Sequence, residues 1–227
     1  MNRGQLVSLI LTTRNEQDVI GKALLSIASQ TYKNIEIIII DNNSKDKTCQ
    51  IAKKYTKKIF TFGPERSAQR NFGASKSEGK YLFFLDADLK LTKNVINECV
   101  ELIEENNKIG GIIIPELSVA TKFWEKIKAF ERSFYNEEGD AITDAARFFS
   151  RKVFEKIKGY DEEITGPEDW DITDRVYGSG YLIGKTKSKI YHYERISSLL
   201  SLMKKKFYYG LNAHRYIKKQ KISLLSS

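Results

Sequence analysis

Tyr81-Leu82-Phe83-Phe84-Leu85 is an unbroken apolar run that ends in two carboxylates one residue apart, Asp86 and Asp88. A run of that length without alternation reads as a strand covered on both faces, and such a strand demands helices packed on either side of its sheet. Nothing in a core accommodates the aspartate pair. At the carboxyl end of a parallel strand, where sheets of this kind hold ligands, the pair suits a hard divalent cation. A strand-ending turn with two solvated aspartates is the other reading, since Asp is an ordinary turn residue.

Strand and helix signals alternate on both sides of that run. Leu6–Leu11 and the β-branched Ile35–Ile40 read as buried strands, and Lys58–Phe62 as a short third one. Between them, Asp18–Gln30 repeats Val19, Ile20, Ala23, Leu24, Ile27 and Ala28 at helical spacing, and Ser44 can cap a helix running to Tyr55. Glu65–Lys76 is a helix with Arg66 and Arg70 one turn apart. Thr92 can cap the next helix, with Val95, Ile96, Cys99, Val100 and Ile103 inward, and Ile112–Ile114 is a fifth strand stopped by Pro115. Beyond Pro115 come an aromatic-rich amphipathic helix over 121–135 (Phe123, Trp124, Ile127, Phe130, Phe134), a strand near Ala146–Phe149 and a capped helix from Ser150. A helix from Glu168 and returning strands at Tyr181–Ile183 and Ser188–Tyr193 complete the pattern. This order gives an α/β, Rossmann-like, mostly parallel sheet with helices on both faces. It divides into a nucleotide-binding half, 1–115, and an acceptor half, 116–194, fused around one sheet, followed by a basic helical segment over 195–227.

The 227 residues fit one large domain. Cys49 and Cys99 both fall in helices, which fits reduced thiols in a cytosolic protein better than a disulfide framework. Leu6–Leu11 is too short for a signal-peptide core, and no segment approaches the roughly 20 apolar residues that span a bilayer. The net charge of +9 is unevenly placed: residues 185–227 carry eleven Lys or Arg against one acid, Glu194, so the remainder sums to −1. One end of the molecule is therefore suited to a polyanionic surface.

Three further clusters carry chemistry. The loops Thr12-Thr13-Arg14-Asn15-Glu16 and Asp41-Asn42-Asn43-Ser44 leave the first two strands at the same sheet edge as Asp86 and Asp88. Asp41 can accept from a base N–H or a ribose hydroxyl, or the second loop is a helix-capping turn. Neither glycine-rich phosphate loop occurs, so phosphate charge falls to a metal and to arginines such as Arg70. In Gly166-Pro167-Glu168-Asp169-Trp170-Asp171, adjacent carboxylates open a helix. They satisfy the helix dipole, or one is a general base, with Trp170 walling a sugar pocket. His192, after a predicted strand, is either structural or a third metal ligand; His214 belongs to the polar face of the tail.

The segments Leu11-Thr12-Thr13-Arg14-Asn15-Glu16, Ile40-Asp41-Asn42-Asn43-Ser44, Ala68-Gln69-Arg70-Asn71-Phe72-Gly73, Leu85-Asp86-Ala87-Asp88 and Glu168-Asp169-Trp170-Asp171 together resemble a family 2 glycosyltransferase with the GT-A fold. The similarity runs from Leu6 to His192. It implies that Thr12, Arg14, Glu16 and Asp41 hold the nucleotide and that Arg70 sits by the donor. It implies further that Asp86-Ala87-Asp88 binds the diphosphate through Mg²⁺ or Mn²⁺, that His192 completes the metal shell, and that Asp169, in preference to Glu168, is the base. Many relatives have Pro-Thr-Tyr-Asn-Glu in the first loop, and Arg14 replaces that aromatic here. The similarity of Leu85-Asp86-Ala87-Asp88-Leu89 to dolichyl-phosphate mannose synthases favours GDP-mannose slightly over a UDP-hexose.

The expected activity is an inverting transfer of a hexose from that nucleotide sugar to a lipid-linked or glycan hydroxyl. The alternatives are a sugar nucleotidyltransferase, whose glycine- and basic-rich first loop is absent, and a non-catalytic membrane or nucleic-acid adaptor. In 196–217, Ile196, Leu199, Leu200, Met203, Phe207 and Leu211 recur at helical spacing beside Lys204–Lys206, Arg215, Lys218 and Lys219. That pattern suits one or two helices lying in the headgroups of an anionic membrane, or a packed terminal helix with a solvated basic face. The expected location is cytoplasmic, peripheral on the inner face of the cell membrane. No nucleic-acid motif accompanies the basic tail, so no nucleic-acid partner is expected.

Overall fold

A computed structural model describes residues 4–134, 145–196 and 198–225. Tyr135, the last residue of the helix expected over 121–135, lies outside them. In chain order the elements are β1 (Val7–Thr13), α1 (Ile20–Ala28), β2 (Ile35–Asp41), α2 (Thr48–Ala52), β3 (Ile59–Thr61), α3 (Arg66–Ser75), β4 (Tyr81–Asp86), β5 (Leu89–Leu91) and α4 (Val95–Glu105). Then come β6 (Ile109–Ile113), β7 (Glu116–Val119), α5 (Phe123–Ser133), β8 (Ala146–Ser150), α6 (Arg151–Lys156), α7 (Glu168–Gly178), β9 (Leu182–Lys185), β10 (Ile190–Tyr193) and α8 (Leu199–Leu225).

The main sheet runs β3-β2-β1-β4-β8-β6-β9. Its pairs are parallel except those that β8 makes with β4 and β6. Residues on both sides of Pro115 therefore share this sheet, because β8 is inserted between β4 and β6. The continuous apolar runs have the physical cause anticipated for them. Val7, Leu9, Leu11, Phe83 and Leu85 join the helix α1 and α4 side chains on one face, while Ile10, Ile38, Ile40, Leu82 and Phe84 join α6 and α7 on the other. Burial on both faces removes any reason for alternation.

The expectation of a single sheet is corrected by a second, three-stranded one, β5-β10-β7. Its central strand pairs His192 with Leu89 on the antiparallel side and with Ser118 on the parallel side. Two expected caps are also corrected. Helix α2 starts at Thr48, because Ser44 turns back to Asp41, and α4 starts at Val95, because the Thr92 hydroxyl donates to the Lys189 carbonyl at 2.8 Å. Ser150 does occupy the N-cap position of α6 but makes no side-chain cap bond. The tail is one helix. None of the described helices is long and apolar enough to cross a membrane.

Helix α3 lies close on the sheet because Gly73 faces β1 and β2: a Cβ there would sit 2.4 Å from Ile10 Cγ2 and 3.1 Å from Ile40 Cγ1. Gly73→Ala should destabilise the fold by about 1–3 kcal/mol, the cost of overpacking. Gly21→Ala, whose Cβ would meet nothing nearer than 3.7 Å, should be neutral or stabilising. Urea unfolding of the two variants separates them; equal midpoints would show that α3 has room to move.

Candidate active site

Strand register sets the site. Thr13 pairs with Asp41 and Thr12 with Asp86, so the ends of β2, β1 and β4 lie level at one edge. A cavity of about 530 Å³ opens there. Thr12, Arg14, Glu16, Asp86, Ala87, Asp88, Asp169 and His192 all line it.

Arg70 and Asp41 are placed one layer behind the wall. Asp41 is buried, its carboxylate accepting from Thr13 Oγ1 at 2.9 Å, from the Ser44 amide at 2.8 Å and from the Ser44 hydroxyl, so it shapes the loop whose Asn42 reaches the cavity. Arg70 is 1% exposed, yet it is the central tie. Its Nη1 donates to Asp169 Oδ1 at 2.8 Å and lies 3.7 Å from Glu168 Oε1, while Nη2 lies 3.5 Å from Asp86 Oδ1. One guanidinium thus joins the end of β4 to the start of α7, its own partner Asp169 lying 99 positions along the sequence from Arg70. The face of Tyr160 lies 4.9 Å from its central carbon.

Charge is densely compensated around that tie. Burial disfavours the charged form of Asp86, but Arg66, then Arg70 and Arg147, outweigh it and hold the carboxyl well below its ordinary range. Glu168 moves the other way: burial and the neighbouring Asp169 charge raise it against Arg70 and Arg66. Its Oε2 accepts from the Gly166 amide at 2.7 Å. Asp169, with 22% of its side chain exposed, is the more accessible of the two carboxylates. Glu16 is raised chiefly by burial, with the Arg195 ion pair opposing.

The second sheet delivers His192 to Asp88. Nε2 lies 3.5 Å from Asp88 Oδ2, and Nδ1 lies 2.9 Å from Glu116 Oε2. Burial works against a charge on the ring, but the Asp88 and Glu116 bonds push it up to about 9. Asp88 Oδ1 is buried with no hydrogen-bond partner.

Sequence reasoning missed several neighbours. Arg147 forks onto Glu116 through Nε at 2.8 Å and Nη2, and places Nη1 3.6 Å from Asp86 Oδ2. Arg132 reaches the same Glu116 at 3.1 Å and Glu194 at 3.1 Å. Arg147 was detectable, because a cation inside the apolar strand Ala146–Phe149 must have a buried partner. Glu116 and Arg132 offered no such signal. The expected role of Trp170 as a pocket wall is corrected: it does not line the cavity and its ring lies 6.2 Å from that of Tyr216. One helical step of about 100° past Asp169 turns it away.

Known proteins resemble the chain in sequence and fold. The family model described as glycosyl transferase family 2 matches residues 8–158. A beta-monoglucosyldiacylglycerol synthase of Trichormus variabilis is 27% identical over 197 residues, covering 75% of this chain and 41% of that protein. Crystalline S. aureus TarS 1-349 superposes with a TM-score of 0.68 at 20% identity, over 82% of this chain and 60% of that one. The mannosyltransferase PcManGT of Pyrobaculum calidifontis, in complex with GDP-Man and Mn²⁺, gives 0.64 at 17% identity, over 86% and 58%. The chain spans 57%, 44% and 23% of the length of three further curated glycosyltransferase relatives.

Arg70→Met should cost about 3–5 kcal/mol, because it leaves the buried Glu168 and the half-buried Asp86 and Asp169 without their shared cation. Arg70→Lys, a point charge that cannot fork, should lie between Met and the parent. Thermal and urea unfolding measure both; a loss below about 1 kcal/mol for Met, the range of a surface ion pair, would remove Arg70 from this role.

Proposed function

The chain belongs to glycosyl transferase family 2, and from that premise we propose that it transfers a hexose, with inversion, from a nucleotide sugar to a hydroxyl of a lipid-linked or glycan acceptor at the inner face of the cell membrane. The observation that carries the reading is the single cavity walled by Asp86, Asp88 and Asp169, with Arg70 tying the two acidic elements together. Family membership sets aside the nucleotidyltransferase and adaptor alternatives.

A divalent cation fits the residues present. Asp88 Oδ1 is a buried oxygen without a partner, and Asp86 and Asp88 offer the hard carboxylate oxygens that Mg²⁺ or Mn²⁺ takes, with His192 beside them as a softer third donor. Among the described residues no ready-made cage of three such side chains exists. When bound, the ion would neutralise charge on the departing diphosphate.

The chain's own groups supply the rest. The loops bearing Thr12, Arg14, Glu16 and Asp41 receive the nucleoside, with GDP-mannose slightly favoured over a UDP-hexose as donor. Arg66, on the cavity wall, meets phosphate charge as it grows. Asp169, oriented by Arg70, takes the proton of the acceptor hydroxyl. The new bond to the anomeric carbon forms as its bond to the diphosphate oxygen breaks on the opposite face, so one displacement inverts the centre and needs no enzyme nucleophile. The relatives lend support: one is named for a lipid product, and one solved neighbour holds GDP-Man and Mn²⁺.

A donor screen read by nucleotide release, with Mn²⁺ and lipid-phosphate or lipid-linked sugar acceptors, tests the reading. Release from no UDP- or GDP-sugar would end it. Asp169→Asn should lower transfer by about 10²–10⁴-fold while calorimetry shows donor affinity unchanged; a comparable loss confined to Glu168→Gln would move the base to Glu168. Asp88→Asn should abolish the Mn²⁺ dependence of donor binding, and undiminished dependence would exclude Asp88 as a ligand.

A further inference from the structure

The acceptor side of the cavity is walled by two helices that leave apolar stripes uncovered. Helix α5 supplies Lys128 and Arg132 to the lining, and α8 supplies Leu202, Lys206 and Tyr209. The helices are tied by Lys206–Glu131 at 2.9 Å, and Lys128 shares the same carboxylate at 3.1 Å. On α5 and its C-cap the exposed large apolar side chains are Phe123, Ile127, Phe130 and Phe134, spaced by four, three and four, which sets them along one face. On α8 Leu200, Met203 and Phe207 lie along one face, and Leu199, Tyr208 and Ile217 are exposed as well. Phe130 is 68% and Phe207 69% exposed. The opposite faces are engaged: Glu125 and Leu202 are buried, and Tyr209 packs on Gly166.

Charge selects the occupant. Helix α8 carries seven Lys or Arg and no Asp or Glu over Leu199–Leu225. Lys122 and Lys126 add exposed cations at and within the start of α5. Lys206 and Lys219 are ion-paired within the chain, to Glu131 and to Asp161 and Asp171, but a second copy docking through these stripes would still bring together two α8 helices that carry no acid of their own. An anionic lipid surface instead meets both features at once, taking up apolar side chains below a plane of negative charge.

We propose that α5 and α8 form one bilayer-docking face that flanks the acceptor side of the cavity, so that a membrane-resident lipid presents its polar head to Asp169 from the membrane plane. The docking face stands on the exposed stripes alone; the lipid nature of the acceptor rests also on the transferase reading above. α5 is thereby a membrane element equal to the basic tail, and a soluble glycan is the poorer acceptor.

Co-sedimentation of the full chain with phosphatidylcholine vesicles, with and without phosphatidylglycerol, tests the face. Binding is expected only with the anionic lipid and should weaken as salt is raised. The α5 pair Phe130→Ser/Phe134→Ser and the α8 pair Met203→Ser/Phe207→Ser should each weaken it at least about tenfold. Leu25→Ser, which removes a 59% exposed apolar side chain from α1, should leave it unchanged. Circular dichroism confirms that each variant is folded. Loss with the α8 pair only, equal loss with Leu25→Ser, no binding to either vesicle, or a dimer in solution dispersed by the same substitutions would each overturn the proposal. Nucleotide release separates the two readings. Docking with no release from any nucleotide sugar sinks the transferase and leaves the face standing. Release that proceeds equally well with soluble glycan and vesicle-borne lipid acceptors removes the assignment of a lipid acceptor.

Discussion

A buried guanidinium with three carboxylates within 4 Å is the constraint on which this molecule is organised. Arg70 cannot shed its proton, so its burial is tolerable only while Asp86, Glu168 and Asp169 stay gathered around it. Those three belong to elements that the chain makes far apart, the end of β4 and the beginning of α7. Electrostatic necessity thus enforces the meeting of two distant segments that hydrophobic burial alone would leave approximate. Arg147 repeats the device on the other side of Asp86, through Glu116.

The small second sheet solves a different problem. Asp88 lies past the end of β4, where the main sheet cannot hold it, and β5 follows at once. Pairing β10 between β5 and β7 fixes His192 opposite that turn, and the Tyr193 amide donates to the Asp88 carbonyl at 3.1 Å. Glu116, at the start of β7, then holds the far nitrogen of the ring. An imidazole fixed in this manner has Nδ1 on Glu116 and Nε2 facing Asp88 at the cavity wall.

How much of this could be read beforehand depended on how local each cause was. β1, β2 and β4 were legible because burial on both faces writes itself as uninterrupted Ile, Leu and Phe. Asp86, Asp88 and Asp169 were legible because carboxylates that close a strand or open a helix break the pattern. Ser44 and Thr92 misled as helix caps, since their hydroxyls found nearer partners in Asp41 and the Lys189 carbonyl. β5 and β7, three and four residues long, carry no period to detect. Glu116 and Arg132 look like ordinary surface charges until the second sheet and α5 bring them to His192, and Trp170 fails because adjacency in a helix is not adjacency on its surface.

The sequence separations across the site bear on how the protein is born. Arg70 waits 99 positions for Asp169, and His192 closes on Glu116 across 76. Contacts of that reach are the last to form in a folding chain, because loop closure must be met before they reward it. On the ribosome, β1 to β4 can assemble while the cavity still lacks its far wall and its imidazole. The cavity is therefore complete only once β10 has emerged and paired.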